Sequence, residues 1–246
     1  MELHDGRLLE TRTLAHVSDF VVYATQNFAD REWIFRGHQA ASWQLCPVVY
    51  RPEIWESRRG IEPEWYERRL LDAFKMAARP HLASTPRDDW EWLAIARHHG
   101  LPTRLLDWTK RLLAALYFAV ENPDGDRESA VWCYRHRSFR ATEFPSPFDI
   151  DQTISFDPPH VSQRIAAQGS CFTVHPVTFL ESADPWPGDL VKLVVPAEAR
   201  PAIRRDLERL GIDRAVLFPG LDGIATQIAR AHVRLADERP RPREPQ

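Results

Sequence analysis

Two short stretches hold the residues best suited to chemistry. In Phe35-Arg36-Gly37-His38 a guanidinium stands between an aromatic ring and a glycine, with an imidazole beside it. Arginine presents a planar fork of donors that matches phosphate or carboxylate oxygens, and a neighbouring glycine lets another group approach the backbone. In His98-His99-Gly100-Leu101-Pro102-Thr103-Arg104-Leu105-Leu106-Asp107-Trp108, a proline-fixed turn delivers Thr103 and Arg104, and Asp107 follows in an apolar run. Arg36 and Arg104 suit two roles: holding an oxyanion, or pairing with Asp107 or another carboxylate in the core, because buried charges need partners. His98 and His99 fall in the last turn of a helix, where they complement its dipole.

Gln168-Gly169-Ser170 offers an amide and a hydroxyl just before a strand, with Arg164 one helical turn earlier on the same face; an ordinary capped turn fits the same residues. Glu62-Pro63-Glu64 reads as a helix start carrying dipole-matching acids. The chain contains no P-loop, no dinucleotide-fold glycine fingerprint, no nucleophile elbow and no H-E-x-x-H, so kinase, oxidoreductase, serine hydrolase and zincin readings drop out. Cys46, Cys133 and Cys171 are odd in number and widely spaced, which argues against a disulfide framework and a thiolate zinc site. No metal is expected, and Cys46 reads as core packing.

Periodicity shows what must position these residues. Helical spacing runs from Leu14 to Phe28, from Pro63 to Ala78 up to the stop at Pro80, and from Asp88 to a left-handed cap at Gly100. Trp33 to Arg36 reads as a buried strand ended by Gly37, Leu105 to Trp108 as another, and Lys110 to Val120 as a central helix apolar nearly all round. After the turn at Asn122-Pro123-Asp124-Gly125-Asp126, strands are expected at Ala130–Tyr134, Ile154–Phe156, Cys171–Val174 and Leu190–Val195. A charged helix lies between Pro196 and Gly211, an apolar run at Ala215–Phe218 and a last helix over about Leu221 to Leu235. The reading is one α+β domain over residues 1–237, a helix-rich N-terminal half packed on a mixed, mainly antiparallel sheet. A flexible Pro- and Arg-rich tail follows at 238–246.

With 246 residues and 43% hydrophobic content the chain can build one sizeable core. A net charge of −3 supplies no uniform basic field for duplex phosphates, although a local basic groove is compatible with it. No segment approaches membrane-spanning length and no basic-then-apolar leader opens the chain, so a cytoplasmic protein without a membrane partner is expected.

Phe35-Arg36-Gly37, Trp43-Gln44-Leu45-Cys46-Pro47, the block 98–108 and Ala115-Leu116-Tyr117-Phe118-Ala119, in that order, resemble the FRG-domain family, named for its aromatic-Arg-Gly motif. The similarity extends over roughly residues 15 to 235 through Gln168-Gly169-Ser170-Cys171-Phe172 and Phe218-Pro219-Gly220-Leu221-Asp222-Gly223. A weaker similarity is to ADP-ribosyltransferases of the arginine-first type, in which an aromatic-Arg strand binds a dinucleotide and later strands bring a polar residue and an acid.

These resemblances imply an intracellular effector, of the kind that serves as a toxin or in phage defence, that takes NAD as its substrate and transfers ADP-ribose to a protein or RNA acceptor. They also imply an ADP-ribosyltransferase-like fold and a neutralising partner. Carried onto this chain, Arg36 clamps the pyrophosphate, Gly37 gives close approach, and His38, Thr103, Arg104, Gln168 and Ser170 shape the cofactor pocket. The carboxylate that stabilises the oxocarbenium-like state is Asp107 or Asp222. The competing expectation is a noncatalytic domain that recognises a nucleotide, RNA or protein through arginine clamps and exposed aromatic rings.

Overall fold

The structure, a computed structural model, describes residues 7–28, 32–55, 61–82, 84–122, 126–135, 144–158, 163–182 and 186–237. The expected tail at 238–246 lies outside the described residues. A mixed sheet runs through the molecule in the order β1-β7-β4-β2-β3-β6-β5. Its strands are β1 (Arg7–Thr13), β2 (Trp33–His38), β3 (Leu105–Thr109), β4 (Ser129–Arg135), β5 (Ile154–Phe156), β6 (Ser170–Val174) and β7 (Asp189–Val195). Only the β1/β7 pair is parallel, so the sheet is mixed and mainly antiparallel, and the fold is α+β as the sequence predicts. Strand β1 gives no periodic signal, because Leu8 to Thr13 are all exposed at the sheet edge.

Helices cover one face. Phe35, Val131, Cys133, Val191 and Leu193 meet α1 (Val17–Asn27), α5 (Leu112–Ala119) and α7 (Arg200–Arg209) through Phe20, Leu116 and Ile203. On the same face Leu105, Phe172 and Val174 meet α4 (Asp89–His98) and α3 (Pro63–Ala78) through Leu93, Ala96 and Leu71. The other face, with Ile34, Leu106, Trp108, Trp132 and Tyr134, packs on short 3-10 turns at Val48–Tyr50 and Val177–Leu180, through Val49, Tyr50 and Phe179, and on irregular chain at Leu45 and Trp186. Short helices α2 (Pro52–Trp55), α6 (Gln163–Gln168) and α8 (Arg214–Leu217), and the longer α9 (Leu221–Asp237), complete the layers. No helix among the described residues is long and apolar enough to cross a membrane.

Two local devices set the geometry that matters. Helix α4 opens with Asp88 accepting from the Glu91 N–H at 3.0 Å and closes at Gly100, whose φ of +91° is the left-handed cap its glycine permits. Helix α5 lies so close on β2 that a Cβ at Gly37 would stand 2.1 Å from Ala115 O and 2.5 Å from Ala119 N. The glycine is there for its own helix, where the sequence points to the approach of a ligand.

Because both obstacles are backbone, Gly37→Ala must push α5 away from the sheet. We expect overpacking of about 1–3 kcal/mol or more, read as a lowered urea midpoint. A midpoint equal to that of the parent chain would show that the helix can shift freely.

Candidate functional site

Strands β2 and β3 join at a single pair, Phe35 with Thr109. Continuing that antiparallel register would set Gly37 opposite Asp107, but the ladder stops and the strands part. Arg36 fills the break: its Nη1 donates to the Asp107 backbone carbonyl at 2.6 Å and lies 3.6 Å from the Asp107 carboxylate. Its Nε donates to His38 Nε2 at 2.9 Å, and His38 Nδ1 faces Trp43 O at 3.3 Å. With Nε2 accepting, the proton sits on Nδ1 and His38 is neutral.

Asp107 points to the helical face, where Arg97 in the last turn of α4 grips its Oδ2 through Nε at 3.0 Å and Nη2 at 2.6 Å. Burial pushes the Asp107 carboxyl up, but the Arg97 and Arg36 guanidiniums together outweigh that and hold it below the usual carboxylate range. Burial lowers Arg36 to about 10, against the pull of Asp107, which leaves it charged at neutral pH. Burial, with Arg36 adding to it, drops His38 to about 3. Among the described residues, Arg36 Nη2 and Arg97 Nη1 carry no hydrogen bond.

Two cavities meet at these guanidiniums. One, of 420 Å³, has Phe35, Trp108, Phe118 and Phe172 in its walls together with Asp107 and Arg164. The other, of 650 Å³, is lined by His38, Trp43, Arg51 and Glu53, among others. Arg36, Gly37, Trp43 and Arg97 belong to both.

Most expected site residues converge here. Arg36, Gly37, Asp107, Gln168 and Ser170 line the first cavity, and His38 lines the second. Gln168 is partly committed to structure: its Nε2 donates to Leu217 O at 3.0 Å. Thr103 and Arg104 line neither cavity. Arg104 is fully buried and donates its backbone N–H and Nε to Glu67 at 2.6 and 2.7 Å, and Thr103 Oγ1 accepts from the Leu105 N–H at 3.3 Å. The carboxylate that holds Arg104 is therefore Glu67, while Asp107 belongs to Arg97 and Arg36. Asp222 stands exposed on the first turn of α9 and also lines neither cavity.

Sequence reasoning missed Arg97, Trp43, Arg51 and Glu121, the last an acid in the first cavity paired with Arg214. One signal pointed to Arg97: an aspartate in a buried apolar strand requires a cation, and Arg97 stands on the helix just before the turn.

The FRG domain model matches residues 31–128, from the segment before β2 to the residue before β4. Over those residues the chain is similar to the FRG domain. The matched region contains Arg36, Arg97 and Asp107, so the broken ladder and its clamp lie within the stretch that is similar to the FRG domain. No curated protein and no solved structure matches the chain significantly.

A neutral, buried His38 couples the site to acid stability. Between its folded value of about 3 and the ordinary value near 6.5, the unfolded chain binds more protons, so stability falls as pH drops through that window. Buried His175, also held well below the ordinary value, acts in the same direction. We expect His38→Gln, which keeps an acceptor for Arg36 and a donor for Trp43 O, to reduce the slope of unfolding free energy against pH by up to about one proton between pH 6 and 4. An unchanged slope in pH-dependent denaturation would place the titration elsewhere.

Proposed function

We propose that the crevice binds a nucleotide by its phosphates, that NAD is the substrate, and that the domain transfers ADP-ribose from it to an acceptor. The observation that carries this reading is the pair of free guanidinium edges, Arg36 Nη2 and Arg97 Nη1, in the wall shared by two cavities. A pyrophosphate is a dianion of a size to meet two such edges. Aromatic walls on one side suit a nicotinamide ring, and a second cavity beyond the clamp gives room for the other half of a dinucleotide.

The chemistry follows from Asp107. Breaking the bond between nicotinamide and its ribose leaves positive charge on the sugar, and the leaving ring takes the bonding electron pair. An ionised carboxylate in the cavity wall stabilises that charge before the acceptor's nucleophile bonds to the same carbon and gives its proton up to solvent. A carboxyl held below its usual range is a poor proton acceptor, so Asp107 acts through its charge. An activity that consumes NAD in this way would suit a toxin or phage-defence effector.

One observation favours a second reading, noncatalytic recognition of a nucleotide: Asp107 already accepts from Arg97 and lies beside Arg36, which weakens its field toward a sugar cation. Nicotinamide release separates the two. We expect calorimetric binding of NAD by the parent chain and nicotinamide release detectable by chromatography. Asp107→Asn should keep the binding and slow release by about 100-fold or more. Arg97→Ala should weaken binding by about tenfold or more, as loss of a charged hydrogen bond implies. Binding without release in any acceptor mixture would favour recognition, and a chain that does neither would overturn both readings.

A further inference from the structure

The 650 Å³ cavity differs in chemistry from its neighbour. Among the described residues three guanidiniums line it, from Arg36, Arg51 and Arg97, against one carboxylate, the exposed Glu53. Arg36 and Arg97 already face Asp107. Arg51 does not: its Nε donates to Cys46 O at 3.2 Å, and it has no carboxylate within 4.0 Å among the described residues. A half-buried guanidinium held only by a neutral carbonyl keeps its charge available to the cavity. Beside it, Trp43 is 52% exposed and its ring lies 6.0 Å from that of His38 between centroids, at an interplanar angle of 64°, so the indole offers surface on which a base can stack.

A pyrophosphate engages the free edges of Arg36 and Arg97 and leaves Arg51 unmatched. We infer that this cavity is a subsite for a phosphorylated adenosine, with the base on Trp43 and a third phosphate on Arg51, and that the dinucleotide preferred by the site is NADP. The inference rests on the dinucleotide reading above. It also orients the ligand: the aromatic cavity beside Asp107 takes the nicotinamide half, and the clamp at Arg36 takes the bridge.

Fragments that reach only this cavity test it separately from nicotinamide chemistry. In calorimetric titrations of the full chain, adenosine 2′,5′-bisphosphate should bind about tenfold or more tightly than adenosine 5′-monophosphate, and NADP should exceed NAD by a similar factor. Arg51→Ala should erase both preferences, bringing the affinity for NADP down to that for NAD, and Arg51→Lys, which retains the charge, should restore part of them. Thermal melts of both variants should stay near the parent value, because the Arg51 side chain makes one hydrogen bond among the described residues, to Cys46 O. Equal affinity for the two fragments in the parent chain, or a preference that survives Arg51→Ala, overturns the subsite. If the Arg51-dependent preference holds and no nicotinamide is released from NADP, the subsite stands and ADP-ribose transfer falls.

Discussion

The bond from Arg36 to the Asp107 carbonyl is the contact on which the centre of the molecule depends. It occurs where two neighbouring strands stop exchanging backbone hydrogen bonds, and an interior carbonyl left without a donor would cost about 1–3 kcal/mol. A guanidinium supplies that donor from the side, so the strands can separate without leaving Asp107 O unsatisfied. The same group is itself expensive to bury, which explains its escort. His38 accepts from Nε, and the Asp107 carboxylate stands near Nη1 to offset the charge. Opening the sheet and placing a cation in the opening are one structural solution.

Residues 98–108 bear on this arrangement more than on ligand contact. Gly100 ends α4 at the point that leaves Arg97 in the last turn, over Asp107. The turn at Pro102 then carries the chain into β3, and Arg104 is spent on Glu67, a pair in which both side chains have no exposure to solvent. Removing one member of such a pair leaves an unmatched buried charge, so this contact ties α3 to β3. The helical wall and the strand floor of the first cavity are thus held in relative position by two ion pairs, Arg97 with Asp107 and Arg104 with Glu67.

Much of the frame was legible because its signals are local. The apolar helix α5, the strand read at Trp33 to Arg36, which in the structure runs on through Gly37 to His38, and the cap at Gly100 follow from periodicity and from the stereochemistry of single residues. Which charges meet was not legible to the same degree. Arg36 and Asp107 are 71 residues apart in the chain, and Arg104 and Glu67 are 37 apart. An arginine just before a strand and an aspartate within it, separated by two apolar residues, look like natural partners, yet alternation along the chain puts them on opposite faces. Arg104 turns instead to Glu67 on a helix whose stripe of apolar residues gave no hint of a buried acid. Arg51 and Trp43 lie in irregular chain, where no period exists to say which side chains face inward.

The pattern of satisfied and unsatisfied charge gives the site its direction. Asp107 is neutralised within the protein, Glu121 is paired with Arg214, and neutral His38 adds no charge of its own. Cations remain at the meeting of the two cavities and at Arg51, and Arg164 on the rim of the aromatic cavity has only the Phe218 ring beneath it among the described residues. Electrostatics therefore favour an anion that crosses from one cavity to the other over a neutral molecule confined to either. Arg36 does not have to be ordered when such an anion arrives, because His38 and the Asp107 carbonyl already fix two of its nitrogens. A guanidinium oriented by the fold gives up less conformational freedom on binding than a free surface arginine does, and that difference appears as affinity.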